Sequence, residues 1–136
     1  MSIKPNPRVV VSSLLGSEFK THTHRPNLAM RDLGIGDATN GAIGIHIVRA
    51  IKPYDKADDI GEHHHIAEFQ YFFVLKGWQR MHIDDVGEVT VHAGEGWLQS
   101  GEVDHEVLDY SDDLEVLCIN MPQKFQTVSS SRSAES

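Results

Sequence analysis

Apolar side chains in this chain recur at every second position over short stretches, and no apolar stripe repeats at helical spacing through three turns. Gly and Pro residues cut the chain into segments of strand length, so the pattern predicts an all-β fold. From Gly41 to Ile51, the residues Ile43, Ile45, Ile47 and Ile51 share one parity, with Arg49 the exception. Gly44, His46, Val48 and Ala50 share the other, as a strand with one buried face requires. Phe69 to Leu75 is almost continuously apolar and aromatic, which predicts a strand covered on both sides and ended by Gly77. Trp78 to Ile83 follows, and Asp84-Asp85-Val86-Gly87 predicts a hairpin turn into Glu88 to His92. Ala93-Gly94-Glu95-Gly96 is a second turn, and His105 to Tyr110 and Leu114 to Asn120 are the last two strands, joined by Ser111-Asp112-Asp113. Strands so evenly spaced, with Gly-rich turns, predict a sandwich or barrel.

One domain over residues 1–128 is expected, with its core at about 41–122, an N-terminal arm over 1–25 and a loose Ser-rich tail over 129–136. The 136 residues, 40% of them hydrophobic, suffice for one core and leave no room for a second full domain. A formal charge of -8, from 12 basic and 20 acidic residues, argues against nucleic acid as a partner, because that affinity rests on neutralising phosphates. No apolar run approaches the roughly 20 residues that span a bilayer, and the first residues lack the layout of a secretory signal. A cytoplasmic protein without membrane contact is expected. Cys118 is the only cysteine, so no internal disulfide forms, and by its parity it reads as a small core residue.

Nine histidines are many for this length, and they cluster in Gly61-Glu62-His63-His64-His65-Ile66-Ala67-Glu68-Phe69-Gln70. In an extended chain residues two apart point the same way, so His63 and His65 form a chelating pair while His64 faces away. Gln70 has the opposite parity and joins them only if the chain bends between Ile66 and Phe69. Glu68 competes with Gln70 as ligand or nearby base, and His46 can line the same cavity. His82 and His92 read as exterior, and His22 and His24 repeat the chelating interval without a third ligand nearby, so they read as a polar loop. Phe72 and Val74 share the parity of Gln70 and should wall the cavity, which turns Tyr71, Phe73 and Leu75 outward. That outward aromatic stripe needs cover, from the N-terminal arm or from a second subunit in a homodimer.

The spacing resembles the first motif of the cupins, in which His-x-His is followed after four residues by an acid or amide and after six more by Gly. Those positions are His63, His65, Gln70 and Gly77 in this chain, and Gly94 with His105 eleven places later resembles the second motif. The chain departs from the family at Ala57, Ser100, Glu102 and Asp109, with Gly101 one place early for the missing turn glycine, and Gln70 replaces the usual Glu. The resemblance implies a cupin-type double-stranded β-helix, a jelly-roll barrel, holding one divalent metal ion on His63, His65, Gln70 and His105. Imidazole ligands suit Zn, Ni, Fe or Cu without choosing among them. A carboxylate would lower the net charge of such a site by one, whereas an amide leaves it at two, favouring Lewis acidity over redox cycling. The expected function is a metal-dependent enzyme acting on a small enolisable or aromatic, oxygen-bearing molecule, of dioxygenase, isomerase or polyketide-cyclase type, with Glu68 or His46 moving protons. A small-ligand or metal-binding protein without catalysis is the alternative.

Overall fold

The computed structural model describes residues 3–14, 18–22 and 24–130. Two antiparallel sheets face each other. Strands β1 (Lys20–Thr21), β2 (Leu28–Asp32), β3 (Gly44–Ala50), β5 (Phe69–Lys76), β8 (Gly96–Leu98) and β10 (Glu115–Met121) form one sheet, in the order β1-β2-β3-β10-β5-β8. Strands β4 (His63–His65), β6 (Trp78–Ile83), β7 (Gly87–His92), β9 (His105–Tyr110) and β11 (Thr127–Ser129) form the other, in the order β11-β4-β9-β6-β7. A single helical turn, α1 (Ile35–Ala38), joins β2 to β3. The strand alternation and the hairpin at Asp84–Gly87 match the sequence expectation, with Asp85 and Gly87 both at positive φ in the tight turn between β6 and β7.

Gly77 separates β5 from β6 at φ +72°, and a Cβ there would collide with Ser111 and Asp113. Only glycine meets both demands, so this position fixes where the chain leaves one sheet for the other. The core between the sheets centres on Val74 and Leu114, both without solvent exposure, and Met81 at 1%. Side chains so fully buried contribute ~1.5–3 kcal/mol each.

On β3, Gly44, His46 and Val48 line the cavity, the place the sequence allows for His46, while Ile45 and Ile47 lie on the other face. The interior of a barrel that keeps open space has room for few bulky residues on any one strand. The outer face of β5 is only partly covered, with Tyr71 and Phe73 half-buried and Leu75 exposed. The sheets also reach beyond 41–122, since β2 pairs with β3 along its whole length and β11 pairs with β4. Leu28–Asp32 escaped the reading because its apolar residues do not alternate. Ser129 and Ser130, assigned to the tail, belong to the fold: Ser130 Oγ donates to Glu62 Oε1 at 2.6 Å. Residues 131–136 of that tail lie outside the described residues. Of the N-terminal arm, Ser12 Oγ donates to Leu33 O at 2.6 Å and Asn6 N–H to Ala38 O at 2.7 Å, while Val9 and Val11 stay exposed. Among the described residues no helix is long and apolar enough to cross a membrane.

Candidate metal centre

The His63-His64-His65 run is strand β4, so its side chains alternate. His64 turns outward and its Nδ1 lies 2.9 Å from Asp104 Oδ1, whereas His63 and His65 line the internal cavity. After His65 the chain passes from one sheet to the other: Ile66 N–H bonds Gln126 O, Glu68 N–H bonds Met121 O, and β5 begins at Phe69. This is the bend that the parity of Gln70 requires, and Gln70 is buried facing the cavity. His105 arrives by register, as the residue of β9 paired with His63 of β4. The three rings stand 4.3 to 5.0 Å apart between centroids, and one nitrogen from each lies within 4.8 Å of the others.

What holds the rings also fixes their protons. His63 Nδ1 lies 2.7 Å from Gly61 O and His105 Nδ1 lies 2.9 Å from Val103 O. A carbonyl only accepts, so both Nδ1 atoms carry the hydrogen and both Nε2 atoms present lone pairs. His65 Nδ1 is hydrogen-bonded with Thr127 Oγ1 at 3.0 Å, a hydroxyl that can donate or accept and so holds the ring without fixing its proton. Burial, reinforced by the neighbouring His105, pushes His63 down to about 2, and burial with His105 and Arg25 pushes His65 down to about 3. His105 is lowered as well, first by burial. Three neutral imidazoles therefore converge at ordinary pH. His63 Nε2 is buried with no hydrogen-bond partner, an arrangement that costs free energy unless a cation takes the lone pair. The donor set fits a divalent transition metal, each imidazole braced from behind by a second group.

Gln99 was missed by the sequence reading. Trp97 Nε1–H donates to Gln99 Oε1 at 3.0 Å, which turns the Gln99 amide nitrogen toward Gln70 Oε1 at 3.4 Å and His105 Nε2 at 3.3 Å. The available signal was parity, since Trp97 and Gln99 lie two apart beside the Gly96 turn. Thr127 carried no local signal at all: it reaches His65 through the β11–β4 register. Thr127→Val removes the brace and should weaken metal affinity ~10-fold, read by competition with a chromophoric chelator; an unchanged affinity would deny Thr127 that role.

The cavity encloses about 410 Å³, within the range of small-molecule sites. Phe72 and Trp97 form one wall, stacked at 4.7 Å between centroids and 17° between planes. His46 lines the cavity, and burial lowers its basicity, so it stands neutral. Glu68 does not reach the site: it precedes β5, is exposed and takes no part in the cavity lining. The chain crossing that brings Gln70 inward leaves Glu68 on the outside. His22 and His24, read as a polar loop, line the cavity instead. His24 N–H donates to His22 Nδ1 at 3.1 Å, and burial pushes His22 down to about 4. A second grouping of possible ligands, Glu62, His82 and Asp84, lies apart from the cavity lining, with Glu62 Oε1 accepting from Ser130 Oγ.

No family model matches the sequence, and no curated protein matches it significantly. Solved structures do resemble it. KdgF from Halomonas sp. is 12% identical with a TM-score of 0.64, over 83% of this chain and 94% of that one. The polyketide cyclase RemF from Streptomyces resistomycificus is 15% identical with a TM-score of 0.65, over 89% of this chain and 84% of that one. The iron(II) form of HppE is 14% identical with a TM-score of 0.63, over 88% of this chain and 64% of that one. At such identities the likeness shows the fold, and the fold is the cupin barrel.

Proposed function

We propose that this cupin barrel is a metal-dependent enzyme whose ion is held by His63, His65, His105 and Gln70, and whose substrate is a small oxygen-bearing molecule lodged in the cavity. The observation that carries the reading is the orphaned Nε2 of His63, which sits beside two further imidazoles in a cavity of about 410 Å³. A bound divalent ion would supply Lewis acidity at a substrate oxygen. The chain's own residues do the rest. Gln70, a neutral amide, adds no negative charge to the three imidazoles, which favours ring-closing or isomerising chemistry over a change of oxidation state. The likeness to a polyketide cyclase supports the same branch. Phe72 and Trp97 offer an aromatic wall for orientation. His46 stands neutral on β3 and can accept a proton from a bound molecule.

An enzyme of this kind needs one exchangeable coordination position. Cobalt(II) reconstituted into the metal-free protein should therefore give a visible spectrum that shifts when azide is added. A spectrum indifferent to azide would sink the enzymatic reading and leave a saturated, structural or carrier site.

A further inference from the structure

Arg25 lies in the loop between β1 and β2 and lines the cavity, a cation that none of the chemistry above employs. Its side chain is 17% exposed. Among the described residues its ion pair is with Asp59, Nε to Oδ2 at 3.9 Å, too long for a charge-assisted hydrogen bond, and Nε is buried without an acceptor. A guanidinium carries five N–H donors in a fixed fork, so one loose ion pair leaves most of them for something else.

Asp59, the loose partner of Arg25, is not among the residues that line the cavity. Asp32 is the one carboxylate among its described lining residues, and its Oδ1 accepts from Gly34 N–H at 2.6 Å. Lys124, exposed at the lining, adds a second cation. Three neutral imidazoles and a neutral amide bring no counter-charge for a dication. With a divalent ion on these neutral ligands the cavity of a chain of net charge -8 would be positive, and positive charge held in a low-dielectric cleft selects an anion. The lining also carries an apolar share, Leu28, Met81, Val107 and Val116 together with the stacked Phe72 and Trp97.

We propose that the cavity takes an organic anion, a carboxylate borne on an apolar or aromatic body, with Arg25 receiving the carboxylate and the Phe72–Trp97 wall receiving the body. This rests on reading the cavity as a substrate site and adds the class of substrate. A single charge-assisted contact to the guanidinium is worth at least about a tenfold preference for the acid over its neutral isostere.

The test uses the metal-free full chain, so that no ion competes for the anion, and compares phenylacetate with phenylacetamide by calorimetry. Phenylacetate should bind at least ~10-fold more tightly, Arg25→Gln should bring it down to the level of the amide, and Arg25→Lys should keep part of the preference. Equal affinity of the wild-type protein for the two probes, no binding of either at millimolar concentration, or a preference that survives in Arg25→Gln would overturn the proposal. If Arg25→Gln fails to fold, the wild-type comparison of acid and amide decides alone. The cobalt spectrum separates the two readings: an azide response without a carboxylate preference would sink only the anion.

Discussion

His63→Ala should strip the protein of its transition metal, lowering affinity by more than ~100-fold, while the metal-free variant still folds, less stable by about 1–3 kcal/mol. The first half follows from position. Losing a group that merely braces a ligand costs 10–100-fold in affinity, and losing the ligand itself costs more. His63 has no solvent exposure, pairs in register with His105 and shares its strand with His65, so no other side chain can move into its place. The second half is what distinguishes a ligand from a core residue. Without a cation, the wild-type ring keeps a buried Nε2 with no partner, and the alanine variant relieves that penalty while giving up one bond to Gly61 O. Those two effects are of similar size, but the alanine also gives up the packing of a fully buried ring, so urea unfolding should find the metal-free variant less stable by about 1–3 kcal/mol. The measurements are metal content by mass spectrometry and unfolding by circular dichroism. Metal retained at full stoichiometry would refute the ligand assignment, and a large joint loss of metal and stability would recast His63 as packing.

The part of this site that could be read from sequence is the part fixed by short-range geometry. The alternation of an extended chain put His63 and His65 on one side and His64 on the other, and the parity of Gln70 demanded a bend at residues that the structure shows crossing between sheets. His105 came from the resemblance of its interval to a known motif, since nothing local says that β9 lies against β4. The failures share a cause. Arg25, His22 and Thr127 sit in loops or short strands whose place depends on pairings made far away in the chain, β1 with β2 and β11 with β4. Glu68 failed for a different reason: an acid near a chelating pair looks like a ligand, yet which way it points is settled by the sheet crossing. On β3 parity separated Ile45 and Ile47 from Gly44, His46 and Val48, and the second set lines the cavity while Ile47 is buried on the other face.

Acid should destabilise the metal-free protein well above the pH at which its carboxylates titrate. In the unfolded chain a histidine takes up its proton near 6.5, whereas in the folded protein burial, with the neighbouring His105, holds His63 down at about 2. The unfolded state therefore binds the extra proton throughout the window between those values. Stability from this group is full above 6.5 and is lost steadily as the pH falls, at about 1.4 kcal/mol per pH unit. Between pH 6.5 and 5, His63 alone removes about 2 kcal/mol, a large share of the ~5–15 kcal/mol that keeps a domain folded. His65, pushed down to about 3, and His22, pushed down to about 4, act in the same direction, as do His105 and His46. The unfolding midpoint in urea should thus fall steeply from pH 7 to pH 5 for the metal-free protein, and the slope should ease in His63→Ala, which has one fewer proton to exclude. A bound metal ion should flatten the same curve, because it occupies the lone pairs that the protons would take and stabilises the only state able to hold it. A midpoint that stays level between pH 7 and 5 in the metal-free protein would mean that these rings are solvated rather than buried around a common point, and the arrangement on which the metal site depends would go with it.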